Sequence, residues 1–233
     1  MDKKVEKLKG DIGKYKSLRT VFWGVILFAI LIIVDQLTKV VADVYFSQPD
    51  APERVAIIPG WIYLQITYNT GIAYGKFGDA QVWVKILIIA ATAALMAVFA
   101  VLYFRIDPRR TFLRLAVIFI VAGGGGNLID RLYFRIWDPE VVAAGTQGVR
   151  DMVNLERFGF AVCNFADFFI TGGAVMLVLA LLFFDRDALL PLGKKYKKLA
   201  KEAEDKKNAL VAVKGKRAAE DYGPRNTDER DNG

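Results

Sequence analysis

Four long blocks of apolar residues, separated by polar connections, dominate the chain. A helix needs roughly 20 predominantly apolar residues to cross the hydrocarbon core of a bilayer, and each block comes close to that length or exceeds it. The blocks therefore predict four transmembrane helices, at about residues 21–42, 82–104, 112–129 and 161–184.

The connections after the first and the third predicted helix, residues 43–81 and 130–160, are long and mixed in polarity. Within the first connection, residues 61–68 alternate apolar side chains with polar or aromatic ones. This period of two predicts a strand with one apolar face. The expected fold is an all-α membrane protein with a little β-structure outside its spans.

Lys and Arg are concentrated in three segments: residues 1–20, the loop 105–114 and the tail 185–233. Because basic loops favour the cytoplasm, both termini are expected inside the cell and both long connections outside. The predicted domains are a basic N-terminal segment, a membrane domain at 21–184 and a charged tail. The Lys-rich start of the tail suits an anionic membrane surface, and we expect its last residues to be disordered.

The composition excludes several kinds of chemistry. The 233 residues include no His, so neither a Ser-His-Asp triad nor a His-ligated zinc site is available. The single Cys, Cys163, has no disulfide partner in the chain and no His to activate it. The net charge of +7 lies mainly at the chain ends, so we expect no nucleic acid partner. Carboxylates and Lys remain as the main titratable groups, with no metal and no cofactor expected.

Polar side chains gather at the outer ends of three predicted helices. Ionisable residues within spans are costly, and for that reason they are candidates for function. Asp35 and Lys39 are four residues apart and can pair on one helix face. The groups are Asp35 and Lys39 on the first helix, Asn127, Asp130 and Arg131 on the third, and Asn164 and Asp167 on the fourth.

Each candidate also has a purely structural interpretation. Asp35 and Lys39 can form an ion pair that only holds a helix end, and Gly123 can serve close helix contact. Asp167 can be a helix N-terminal acid stabilised by the macrodipole. Asp151, in the segment that leads back to the membrane, can be an ordinary loop carboxylate. Spacing alone leaves these alternatives open.

Five short motifs occur in order along the chain: Asp35-x-x-x-Lys39, Asn69-x-Gly71-x-Ala73, Gly123-x-x-Gly126-Asn127-x-x-Asp130-Arg131, Val149-x-Asp151-Met152 and Asn164-x-Ala166-Asp167. Any one of them is weak, but the five together resemble the lipoprotein signal peptidases (signal peptidase II), a family of aspartic membrane proteases. The resemblance covers roughly residues 20–185.

The resemblance implies four transmembrane helices, a small extracytoplasmic β-cradle and an interfacial helix, in the inner membrane of a bacterium. It implies that Asp151 and Asp167 are a catalytic dyad on the periplasmic side. The implied reaction is hydrolysis of the peptide bond before the Cys of a prolipoprotein that carries diacylglycerol. Binding or supporting roles are implied for Asn69, Gly71, Asn127, Arg131, Asn164, Ala166, Asp35, Lys39, Gly123 and Asp130.

Two kinds of alternative remain. The stretch between Arg131 and Asp151 is longer than the family's usual pattern, which makes Asp138 or Glu140 a secondary candidate for the role of Asp151. A transporter or proton channel with intramembrane carboxylates is a competing function, and a membrane scaffold held by structural ion pairs is a third. We expect a monomer whose partners are prolipoproteins and membrane lipids.

Overall fold

The structure is a computed structural model that describes residues 3–71, 81–144, 147–184, 189 and 193–221. The elements in chain order are α1 (Lys3–Phe46), β1 (Val55–Ile58), β2 (Ile62–Asn69), α2 (Val82–Arg105), α3 (Thr111–Tyr133), α4 (Pro139–Ala144), β3 (Val149–Asn154), α5 (Phe165–Leu179) and α6 (Gly193–Asp221). A 3₁₀ turn at Glu156–Phe158 follows β3, and a π-helical turn at Ala180–Phe184 continues α5.

Four segments of the described chain are long and apolar enough to cross a membrane, which confirms the four predicted spans. The third span, α3, continues to Tyr133, beyond the boundary predicted at 129, so Asp130 and Arg131 lie on it. The fourth span, α5, begins at Phe165 rather than 161, because Cys163 exchanges backbone hydrogen bonds with Val153 of β3. The segments are Leu18–Phe46, Val82–Arg105, Thr111–Tyr133 and Phe165–Phe184.

A small antiparallel sheet has the strand order β1-β2-β3. Its central strand, β2, is the one that the alternation at residues 61–68 predicted. The sheet register places Val55 opposite Leu64 and Thr67 opposite Asp151. The sheet therefore carries Asp151 in β3, and the short helix α4 precedes that strand. A small sheet and a short additional helix were both expected outside the spans.

Helix α3 is the centre of the membrane region. More than half of its apolar stretch is buried, whereas the other three spans expose most of theirs. Small residues allow this because they let helix backbones approach closely. Glycines of α3 face all three neighbours: Gly124 faces Met96 of α2, Gly126 faces Asp35 of α1, and Gly123 faces Ala166 of α5.

The described residues from 179 onward form a second compact unit. Its helix α6 is rich in charged residues and leaves Leu210, Val211 and Val213 exposed. The disorder predicted for the end of the tail concerns residues 222–233, which lie outside the described residues.

We expect Gly173→Ala to destabilise the contact between α5 and α3. A Cβ on Gly173 would lie 2.8 Å from Cγ1 of Ile120 and 2.9 Å from the backbone oxygen of Ala116. Overpacking of this kind costs about 1–3 kcal/mol, so thermal melting in detergent should give a lower Tm.

Gly172→Ala is the matched control, since no atom lies within 4 Å of the Cβ it would add. Its Tm should stay at the wild-type value or rise, because Ala favours a helix more than Gly does. Equal melting temperatures for the two variants would show that α5 does not contact α3 closely at Gly173.

Candidate active site

Asp151 and Asp167 come from different elements and meet beside α3. Asp151 lies in β3 with only 3% of its surface exposed, and Asp167 lies in the first turn of α5, half-buried. Two asparagines bridge the carboxylates. Asn164 donates from Nδ2 to Oδ1 of Asp151 at 2.6 Å, and Asn127 donates from Nδ2 to Oδ1 of Asp167 at 2.8 Å.

The bridge is closed by a contact between the asparagines themselves. Nδ2 of Asn164 also donates to Oδ1 of Asn127, at 3.0 Å. Asn127 is on α3, so the third helix, the start of α5 and strand β3 all meet at this amide pair. Both asparagines are buried, and a buried amide is stable only when its donors and acceptors are satisfied.

Asn164 and Asp167 also begin helix α5. The backbone N–H of Asp167 donates to Oδ1 of Asn164 at 3.1 Å, and the backbone N–H of Asn164 donates to Oδ2 of Asp167 at 3.0 Å. This reciprocal arrangement is a capping box, in which an N-cap side chain and the third helical residue satisfy each other's free N–H groups. It fixes the carboxylate of Asp167 against the helix N-terminus, where negative charge is favoured.

Asn69, the last residue of β2, holds the other oxygen of Asp151. Its Nδ2 donates to Oδ2 of Asp151 at 3.1 Å, and its Oδ1 accepts the N–H of Gly71 at 2.9 Å. Each oxygen of the Asp151 carboxylate thus has an amide donor. Gly71 is buried and acts through its backbone, as the structural part of the Asn69 motif.

Behind the bridge lies the ion pair that the spacing predicted. Lys39 and Asp35 are fully buried, and Nζ of Lys39 lies 2.9 Å from Oδ2 of Asp35. The same Nζ donates to Oδ1 of Asn127 at 3.0 Å and lies 3.5 Å from Oδ2 of Asp130. Oδ1 of Asp35 accepts the backbone N–H of Ala166 at 2.8 Å. This pair therefore connects α1 to α3 and to the start of α5.

A cavity of about 600 Å³ opens onto the aspartates. Arg131 lines it and interacts electrostatically with Asp167 and Asp151, and its Nε has no hydrogen-bond partner in the described part of the chain. Its polar lining residues include Asn69, Asn127, Arg131, Asp151 and Asp167, and its apolar lining residues include Val149, Leu155, Phe160, Phe168 and Ile170.

Burial makes the Asp151 carboxyl a weaker acid than an ordinary aspartate. Loss of solvent, and then the charge of Asp167, raise the pKa of Asp151 from 3.8 to about 7, against the opposing hydrogen bonds from Asn69 and Asn164. Two close carboxylates in poor solvent cannot both ionise easily. Asp151 therefore retains a proton up to near neutral pH, which suits acid–base chemistry.

The remaining candidates lie away from this chemistry or are unsuited to it. Burial raises the pKa of the Cys163 thiol to about 11, and a thiol that stays protonated is a poor nucleophile. Asp138 forms a surface ion pair with Arg135 at 2.6 Å, and Glu140 is exposed. Neither carboxylate lines the cavity. In the described chain no three Asp, Glu or Cys side chains converge as metal ligands would.

Sequence reasoning missed the polar contacts between the sheet and the helices. Arg150, beside Asp151, reaches Asp130 of α3, and Tyr68 of β2 donates to Asp43 of α1 at 2.5 Å. The only sequence signal for Arg150 was its charge beside Asp151. A charged residue there could equally be an ordinary exposed side chain, so the sequence did not single it out. Its partner could be found only once β3 was placed against α3.

Four helices that can cross a membrane, and two aspartates that meet at a cavity beside them, indicate an integral membrane protein with a candidate acid–base site. Comparison with known proteins gives the family. Residues 27–183 match the family described as Signal peptidase (SPase) II. The chain belongs to the signal peptidase II family, and it is an aspartic-type protease of bacterial membranes. This excludes the transporter and scaffold alternatives.

Relatives agree with that assignment, and a solved structure shares the fold. The chain is 32% identical over 163 residues to a lipoprotein signal peptidase of Fusobacterium nucleatum, which covers 70% of this chain and 87% of the relative. It is 31% identical over 155 residues to that of Streptococcus pyogenes serotype M3, covering 65% and 88%. A bacterial membrane enzyme solved at 2.3 Å has the same fold, with a TM-score of 0.55, 23% identity, and coverage of 70% and 88%.

We expect the stability of the protein to fall as pH rises from about 4 to about 7. Because the pKa of Asp151 is raised in the folded state, the folded protein holds a proton in this range that the unfolded chain has released. Removing that proton destabilises the fold by an amount on the order of a few kcal/mol. Asp151→Asn should flatten this slope in thermal melts recorded between pH 4 and 8.

The pH slope is the readout, because the NH₂ group of an Asn at 151 would also face one of the two amide donors, Asn69 or Asn164, at a cost independent of pH. Glu140→Gln, a change outside the site, serves as the control and should keep the wild-type slope. If Asp151→Asn retains the wild-type slope as well, Asp151 does not hold the proton.

Proposed function

We propose that this enzyme removes the signal peptide from prolipoproteins by hydrolysing the bond before their diacylglyceryl-modified Cys, with Asp151 and Asp167 as the catalytic pair. The relatives of the chain carry the name lipoprotein signal peptidase. The observation that carries the proposal is the amide bridge of Asn127 and Asn164, which holds the two carboxylates together at the edge of the cavity.

The pair acts as one acid–base unit that holds a single proton near neutral pH. The ionised carboxylate takes a proton from a water molecule, and the oxygen of that water attacks the carbonyl carbon. The protonated carboxyl polarises the carbonyl oxygen and stabilises the tetrahedral intermediate. When the C–N bond breaks, the leaving amine nitrogen of the Cys takes up a proton from the pair. Because the two carboxyls act on one substrate bond as a unit, the roles of acid and base are assigned to the pair.

The asparagines and Arg131 prepare this unit. Asn69 and Asn164 donate to different oxygens of Asp151, which orients that carboxyl in the protonated and the ionised form alike. Arg131 faces the pair from the cavity wall with its Nε unpartnered among the described residues. We assign it to holding the substrate backbone or the developing negative charge, because a guanidinium keeps its charge when buried.

The mixed lining of the cavity suits a substrate that is part peptide and part lipid. In this proposal the polar lining residues take the peptide around the scissile bond, and apolar ones such as Phe168 and Ile170 of the fourth span take the lipid chains. The Lys and Arg bias of the connections supports a site at the outer leaflet with both termini in the cytoplasm. This location keeps the lipid chains in the bilayer while the bond is delivered to its surface.

We expect Asp151→Asn and Asp167→Asn each to reduce cleavage by about 10³-fold or more, because either change removes a proton acceptor or donor that the reaction needs. The assay is a gel shift with purified enzyme in detergent and a diacylglyceryl-modified prolipoprotein. Glu140→Gln should cleave at the wild-type rate, since Glu140 is exposed and outside the cavity.

Melting curves should confirm that each variant is folded before its rate is compared. Full activity in either aspartate variant would remove that residue from the mechanism. A wild-type enzyme that leaves the modified prolipoprotein intact would contradict the substrate assignment.

A further inference from the structure

Arg150 is a buried cation that the mechanism above does not use. It immediately precedes Asp151 in β3, and only 6% of its surface is exposed. Successive side chains of a strand point to opposite faces. The strand thus presents Asp151 to the cavity and sends Arg150 the other way, toward α1 and α3.

The guanidinium of Arg150 makes a set of contacts that Lys could not reproduce. Its Nη2 donates to Oδ1 of Asp130 at 2.8 Å and to Oε1 of Gln36 at 3.3 Å, and its Nε donates to Oδ2 of Asp130 at 3.4 Å. Its Nη1 lies 3.8 Å from Oδ2 of Asp43. The backbone N–H of Arg150 also donates to Oδ2 of Asp130, at 3.0 Å. Side chain and backbone of one residue thus bind the same carboxylate.

Asp130 connects Arg150 to the part of the site that holds Asp167. It lies on α3 three residues after Asn127, the residue that holds Asp167, so the two face the same side of the helix. Arg150 lies next to Asp151 on β3. Through Asp130, the strand that carries one aspartate is fixed to the helix that positions the other.

The contacts to α1 complete the attachment of the sheet. Tyr68 is the register partner of Arg150 in β2, and its hydroxyl donates to Oδ1 of Asp43 at 2.5 Å. The β2–β3 ladder joins the strands to each other, whereas Arg150 and Tyr68 join the sheet to the membrane helices. Two like-charged carboxylates repel, so their approach depends on attachments of this kind.

We propose that Arg150 is a positioning residue for catalysis, which sets the placement of Asp151 relative to Asp167 through its fork on Asp130. This inference rests on the proposed function, because it concerns the geometry of the same aspartate pair. A misplacement of about 1 Å is enough to reduce the rate about 10²-fold in enzymes that depend on alignment. The effect is therefore expected in kcat rather than in KM.

The test compares Arg150→Gln and Arg150→Lys in the prolipoprotein cleavage assay, with rates expressed per folded enzyme. We expect kcat to fall about 10- to 100-fold in Arg150→Gln, up to the loss that a misplacement of about 1 Å causes, with KM within about twofold of wild type. Arg150→Lys should recover part of that loss, because it restores a positive charge beside Asp130 but not the two-point contact of the guanidinium.

A double-mutant cycle identifies the partner. Arg150→Gln and Asp130→Asn remove the same contact, so the double variant should be about as slow as the slower single variant. Arg54→Gln is the matched control, because Arg54 also forms an ion pair near the sheet, with Glu156 at 2.9 Å, but both side chains are about half exposed. Arg54→Gln should keep the wild-type kcat.

The outcomes separate the two proposals. If the wild type does not cleave the prolipoprotein, the proposed function fails and this inference falls with it. If the wild type cleaves and folded Arg150→Gln has the wild-type kcat, only the positioning role is overturned. If Arg150→Gln does not fold, Arg150→Lys decides: a wild-type kcat in that variant, or losses that simply add in the cycle with Asp130→Asn, overturns the proposal.

Discussion

The amide bridge between Asn127 and Asn164 is the interaction on which the rest of the structure depends. It joins residues of α3 and of the start of α5, and through them it fixes one carboxylate on α5 and one on β3. A buried pair of carboxylates needs a donor on its oxygens to offset the loss of water. Glycines of α3 allow this meeting, because side chains there would separate α3 from its neighbours.

Charge compensation surrounds the bridge. Lys39 lies between Asp35 and Asp130 with all three side chains fully buried, and Arg150 also binds Asp130. Removing one member of such a network leaves an unpaired buried charge, which costs far more than the pair contributes. The network therefore specifies one arrangement of α1, α3 and β3, and the aspartate pair inherits its geometry from that arrangement.

The sequence predicted the elements better than their contacts. Block length predicted the four spans, alternation predicted β2, and the spacing of four residues predicted the pair of Asp35 with Lys39. The start of α5 at Phe165 was missed because the capping box of Asn164 was not recognised as one. The contacts of Arg150 could not be predicted from the sequence. They depend on how the sheet packs against α3, and the pattern of apolar and polar residues does not specify that packing.

The central claim of the proposed function is that Asp151 keeps a proton up to near neutral pH, because burial and the neighbouring Asp167 raise its pKa. Infrared spectroscopy of the carboxylic acid C=O stretch, recorded on the purified enzyme across pH, tests it most directly. The account predicts a protonated carboxyl that titrates near pH 7, is lost in Asp151→Asn, and titrates at lower pH in Asp167→Asn, because the charge of Asp167 raises the pKa of Asp151. A band that titrates identically in the wild type and in both variants would contradict a coupled pair.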